Sequence, residues 1–147
     1  MKSHGRTAAL FAAAAFVTLG LGTALRAADP VHDRHEAMEE VGQAFKPLVS
    51  IAKKQTPFDA ALVQKSAATM AEHLKAAADM FPAGSGGGRA KPEIWTDAAG
   101  FEKNMKEAHA AIDALTKVKD EAEFGTAFPA VGTSCKTCHD KYRSARK

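Results

Sequence analysis

The residues of this chain with the most specific chemistry stand close to its end. Cys135-Lys136-Thr137-Cys138-His139 is a C-x-x-C-H run, the pattern by which two thiols and an imidazole hold a c-type haem. On a helix, Cys138 falls about 60° to one side of Cys135 and His139 about 40° to the other. All three side chains then share one arc, so both thiols can add to the haem vinyl groups while the imidazole faces the iron. Both cysteines also continue the apolar stripe of their segment, which puts a porphyrin inside the fold. Two other chemistries use such residues. A thioredoxin-like pair needs a strand-to-helix context and a thiol acidified at a helix N-terminus, whereas these cysteines come late in a helical segment. A zinc site needs four ligands, and no second Cys/His pair has suitable spacing. Since these are the only two cysteines, a disulfide scaffold is excluded.

Four segments of helical periodicity must position this motif. The first carries Met38, Val41, Phe45, Leu48 and Ala52 at alternating spacings of three and four, with Pro47 predicting a kink or an early break. The second, from about Asp59 to Met80, carries Val63, Ala67, Met70, Leu74, Ala77 and Phe81. A Gly-rich loop beginning at Ala83 and continuing to about Asp97 is the longest break, and it places the only tryptophan, Trp95, beside the hinge. The third segment, about Asp97 to Lys119, carries Phe101, Met105, Ala108, Ile112 and Leu115. The fourth, from about Glu121, carries Phe124, Phe128, Val131, Cys135, Cys138 and Tyr142. Alanine dominates, β-formers are scarce and no segment alternates with period two, so the chain reads as all-α. Amphipathic helices of this length cannot bury their stripes singly, and an antiparallel four-helix bundle is expected.

The start of the chain has a different character. Lys2, Arg6 and Arg26 are the only charged residues before Asp29, and Ala8 to Leu25 is an uncharged run ending near Ala27-Ala28. That is the pattern of a secretory signal peptide over residues 1–27, the alternative being an uncleaved anchor just long enough to span. Residues 28–147 form the expected mature domain, about 120 residues long, with seventeen charges of each sign. The formal charge of +3 on the whole chain is therefore no argument for nucleic acid or an anionic membrane. An exported protein without stable membrane insertion after cleavage is expected.

Cys135 to Arg143, within a few residues of the C-terminus, resembles the class II cytochromes c, meaning cytochrome c′ and cytochrome c-556. Arg34, the Thr56-Pro57-Phe58-Asp59-Ala60 stretch and the Pro92-Glu93-Ile94-Trp95-Thr96-Asp97 stretch agree with it. The likeness spans residues 30–147. It implies one haem c per chain, bound through Cys135 and Cys138 with His139 as proximal axial ligand. It also implies that Arg34 pairs with a haem propionate, as a planar guanidinium suits, and that Arg143 covers the proximal face. For both arginines an ordinary surface position is the alternative. In cytochrome c′ a non-ligating residue, often Leu, follows the arginine by four and leaves iron five-coordinate. Here that residue is Met38, as in the c-556 branch, which implies a distal thioether ligand. Core packing is the alternative for Met38, and it is the better explanation for Met70, Met80 and Met105.

The expected function is one-electron transfer between periplasmic partner proteins through a six-coordinate His/Met haem, with no enzymatic activity. The alternative is a five-coordinate haem that binds nitric oxide or carbon monoxide. A peroxidase-like enzyme would need a distal acid or base, for which His35 is the only nearby candidate. His32 and His35 read as solvated or rim residues, and His73 and His109 as partly exposed helix residues. Trp95 reads equally as a haem-edge residue or as an anchor for its loop. The resemblance also allows a homodimer.

Overall fold

A computed structural model describes residues 29–145; the expected signal peptide lies outside them. Four long helices form, α1 (Pro30–Ala52), α2 (Ala60–Ala78), α4 (Ala98–Leu115) and α5 (Glu121–Tyr142), with a single-turn α3 (Glu93–Thr96) before α4. Each long helix starts on an aspartate. Asp29, Asp59, Asp97 and Asp120 accept hydrogen bonds from the backbone N–H groups of Val31 and His32, Leu62, Gly100 and Glu123 respectively. Such caps satisfy donors that the first turn leaves orphaned and contribute about 1 kcal/mol each. The sequence boundaries near Asp59, Asp97 and Glu121 follow from these caps.

The helices pack as an antiparallel bundle. α1 lies on α2, α2 on α4 and α4 on α5, and a slighter α1–α5 approach closes the ring. Leu48 and Ile51 of α1, Val63 and Met70 of α2, Ile112 and Leu115 of α4, and Val131 of α5 are fully buried in one core. Among the described residues no helix is long and apolar enough to cross a membrane.

Two expectations need correction. Of the kink or early break predicted at Pro47, the break does not occur, and α1 continues through it to Ala52. A proline removes one ladder bond, here the one to Gln43, whose residue is exposed; the burial of Leu48 and Ile51 just beyond holds the helix together. Pro129 sits inside α5 in the same way. The stripe of α1 also ends differently, for Ala52 is exposed and Ile51 takes the inward position.

The Gly-rich loop folds back onto the first turn of α1. Gly87 and Gly88 have φ of 139° and 58°, and an added Cβ would come within 3.0 and 2.9 Å of the Val31 methyls. Positive φ and close approach together require glycine there. Isolated bridges pair Gly87 with Ala90 and Ala90 with Arg143, so this loop touches both ends of the bundle sequence.

Candidate functional site

Cys135, Cys138 and His139 occupy the last two turns of α5, all half-buried, and the two cysteines are not joined in a disulfide. Cys135 packs against the hydrophobic core. Burial is the main influence on all three groups. It pushes the Cys135 thiol up, opposed in part by a hydrogen bond with Ser134. It pushes Cys138 up as well, with the neighbouring Cys135 adding and Arg143 opposing. On His139, burial and then the Arg143 and Arg89 guanidinium groups pull the pKa down to about 4, against a smaller upward pull from Asp140. The imidazole is therefore neutral at physiological pH, with a ring nitrogen able to bind a metal.

Across from α5, Met38, Val41 and Phe45 of α1 are half-buried and pack against the same core as Cys135. Phe45 stacks on Phe128 of α5 with ring centroids 5.4 Å apart, and Phe128 stacks in turn on Phe124 at 5.0 Å. Two neutral thiols and a neutral imidazole, beside a core of aromatic and aliphatic side chains against which Met38 also packs, fit an iron porphyrin, which wants apolar surroundings for its ring, two thiols for its vinyl groups and a nitrogen ligand for its metal. Among the described residues no group of three or more His, Cys, Asp or Glu side chains is arranged to hold a bare metal ion.

Arg34 is no surface arginine, being only 6% exposed. Its Nη1 donates to the Met80 carbonyl (2.8 Å) and to Ser85 Oγ (3.1 Å), while Nη2 donates to the Ser85 carbonyl (2.8 Å). The guanidinium also lies 4.8 Å from the Phe81 ring centroid. Arg34 thus ties α1 to the chain that leaves α2. Trp95 has the loop-anchoring role, its indole N–H donating to the carbonyls of Phe81 (3.2 Å) and Pro82 (3.0 Å).

His32 and His35 are exposed, with His32 3.1 Å from Glu36, and His73 and His109 are half-buried on their helices. Met70 and Met105 are core residues. Sequence reasoning missed the contacts that surround the end of α5. Tyr142 is buried and donates to Asp97 Oδ2 at 2.9 Å, Lys141 pairs with the same oxygen, and Arg89 donates twice to the Ser144 carbonyl. A signal did exist, a glycine in the first turn of α4 at Gly100, where helix propensity disfavours it.

With this geometry in hand, the chain can be set beside known proteins. The family described as Cytochrome C′ matches residues 29–143. Cytochrome c′ of Rhodopseudomonas palustris is 37% identical over 137 residues, covering 90% of this chain and 94% of the relative. Cytochrome c-556 of Agrobacterium fabrum is 36% identical over 123 residues, covering 82% and 84%. Among solved structures, Rhodopseudomonas palustris cytochrome c′ superposes with a TM-score of 0.76 at 35% identity, covering 82% of this chain and 99% of that one. The nitric oxide complex of a leucine-to-alanine mutant of cytochrome c′ from Alcaligenes xylosoxidans gives a TM-score of 0.76 at 32% identity, covering 80% and 95%.

Proposed function

This chain belongs to the cytochrome c′ family, whose members carry covalently attached haem c with iron, and from that premise we propose that it is a one-electron carrier with its haem between His139 and Met38. When bound, the haem supplies a one-electron iron couple; everything else falls to the chain. Cys135 and Cys138 would form the two thioether links. His139, kept neutral by burial and by its cationic neighbours, would offer a ring nitrogen on one side. Arg34 spends three of its five N–H groups on the loop, which leaves two for a propionate.

The observation that carries this reading is the position of Met38. It stands one turn after the buried Arg34 on α1, half-buried, packed on the same core as Cys135, and two turns before the Phe45–Phe128 stack that joins α1 to α5. A thioether there favours ferrous iron and raises the potential. A coordination sphere closed on both sides leaves no room for a substrate, which suits a carrier and argues against an enzyme. Residues 1–27 support export to the periplasm, where the redox partners would be other proteins.

A second reading has its own support. In it Met38 packs without ligating, and nitric oxide or carbon monoxide binds the open distal face. By name the relatives weigh toward it, since the matching family and the nitric oxide complex are both cytochrome c′; the c-556 relative weighs the other way. The electron paramagnetic resonance spectrum of the ferric holoprotein separates the two. A low-spin spectrum that turns high-spin in Met38→Ala supports the carrier. A high-spin spectrum at neutral pH that Met38→Ala leaves unaltered removes it in favour of the gas-binding reading.

A further inference from the structure

His139 lies in the last turn of α5, and that raises a problem of restraint. The helix ends at Tyr142, and its final backbone bond runs from Arg143 N–H to the His139 carbonyl at 3.0 Å. Helix ends fray, because their last carbonyls have no partner within the helix. A side chain that must hold one geometry is poorly placed there unless something outside the helix fixes it.

The segment from Arg89 to Phe101 does so. Lys91 N–H donates to the Tyr142 carbonyl (3.0 Å) and Ser144 N–H to the Arg89 carbonyl (2.9 Å). Asp97 then holds the turn from the side. Its Oδ1 caps α4 through Gly100 N–H at 3.3 Å, and its Oδ2 accepts from the Tyr142 hydroxyl and pairs with Lys141. Tyr142 follows His139 by three residues, so the two are neighbours on the helix surface.

Gly100 supplies an independent observation. A Cβ there would lie 2.7 Å from Asp97 Cγ and closer still to Oδ2, the oxygen that holds Tyr142 and Lys141. Glycine in a helix costs about 1 kcal/mol relative to alanine, and here its missing methyl is the space that the carboxylate occupies. One residue on, Phe101 meets the Tyr142 ring edge-on at 5.2 Å and the Phe81 ring at 4.8 Å. Phe81 is the ring under Arg34, so the first turn of α4 touches the end of α5 and, through Arg34, the arm of α1 that carries Met38.

We propose that Asp97, seated in the space left by Gly100, is the positioning residue for His139: by gripping Tyr142 and Lys141 it fixes the last turn of α5 and with it the orientation of the imidazole toward the haem. In this role Asp97 acts through Tyr142 and Lys141 and not as a ligand. The proposal rests on the reading of His139 as proximal ligand and is independent of Met38.

The test uses the holoprotein and two readouts of the imidazole, the hyperfine-shifted haem-methyl resonances of the ferric form and the reduction potential, alongside the thermal midpoint. Asp97→Asn keeps a competent cap but loses the charge that grips Lys141, and Tyr142→Phe deletes one hydroxyl. Each is expected to change the spread of the methyl resonances and to move the potential. The double variant should move them no further than the larger single change, because both act through one contact. Gly100→Ala should perturb the same signals despite the better helix propensity of alanine, and Lys103→Ala, on the exposed face of α4, should leave them alone. Methyl resonances and potential identical to wild type in all three variants, with only the thermal midpoint lowered, would overturn the proposal and make Asp97 a helix cap alone. Failure of the underlying reading shows itself separately, as methyl resonances that His139→Ala leaves unaltered.

Discussion

The two helices that face each other across the candidate haem site are restrained in opposite ways. α5 presents Cys135, Cys138 and His139 from its final turns, where the backbone ladder is running out, and the 89–101 segment grips that end with backbone bonds, a carboxylate and an aromatic ring. α1 presents Met38 from within its length, where the ladder is intact, and a single buried side chain, Arg34, ties it to the loop. Many weak contacts hold the terminus, whereas the interior of α1, already packed on α2 and the core, is tied to the loop by the multidentate contacts of Arg34. The difference follows from how a helix distributes its own order: an end must borrow rigidity, whereas an interior needs only to be kept from sliding.

That contrast can be broken most severely at the proposed ligands. His139→Ala should lower the haem recovered per chain, while Met38→Ala should retain full haem content. Pyridine haemochrome absorbance against protein concentration reads this directly. The next largest effect falls on the α1 restraint. Arg34→Ala strands the Met80 and Ser85 carbonyls and empties the space over Phe81, and a loss of about 3 kcal/mol in urea unfolding is expected. Arg34→Lys should recover less than half, since an ammonium cannot reproduce the fork.

The α5 restraint should show instead in acid. Hydrogen bonds from Lys141 and Tyr142 hold the Asp97 carboxyl below its ordinary value of 3.8. A depressed pKa means that the unfolded chain binds the proton more readily, so this stabilisation is complete above about pH 4 and is lost as pH falls through the lower folded value. Wild type should therefore lose more thermal stability than Asp97→Asn between about pH 5 and pH 2; equal losses would show that the grip carries no charge dependence. The smallest effect belongs to Ala52, which is exposed where the periodicity put it inside. Ala52→Ser should stay within about 0.5 kcal/mol of wild type, as surface changes do.

Much of this molecule was readable from its residues. The C-x-x-C-H run named its own chemistry, and periodicity with the Pro- and Gly-marked breaks placed the starts of α2, α4 and α5 to within a residue or two. Periodicity failed where it met geometry that only packing decides. A proline that removes one exposed ladder bond cannot outweigh the burial of Leu48 and Ile51 beyond it, so α1 ran on. The stripe of α1 holds from Met38 to Leu48 and only its last position moves from Ala52 to Ile51, while the burial of Arg34 depends on what the loop offers a guanidinium, which no spacing encodes. The grip on α5 was invisible for a related reason. Asp97 read as a helix start, which it is, and its second oxygen finds Tyr142 only once residues 45 apart in sequence are brought together.

All of these comparisons presuppose that an iron macrocycle is bonded to the end of α5. Tandem mass spectrometry of a protease digest, taken from protein produced in a cell able to attach c-type haem, puts that to the proof. The account predicts one peptide spanning Cys135 to His139 that carries the full mass of a haem through two thioether bonds, and no other modified peptide. The same peptide at its plain amino-acid mass, with both thiols open to alkylation, would contradict it.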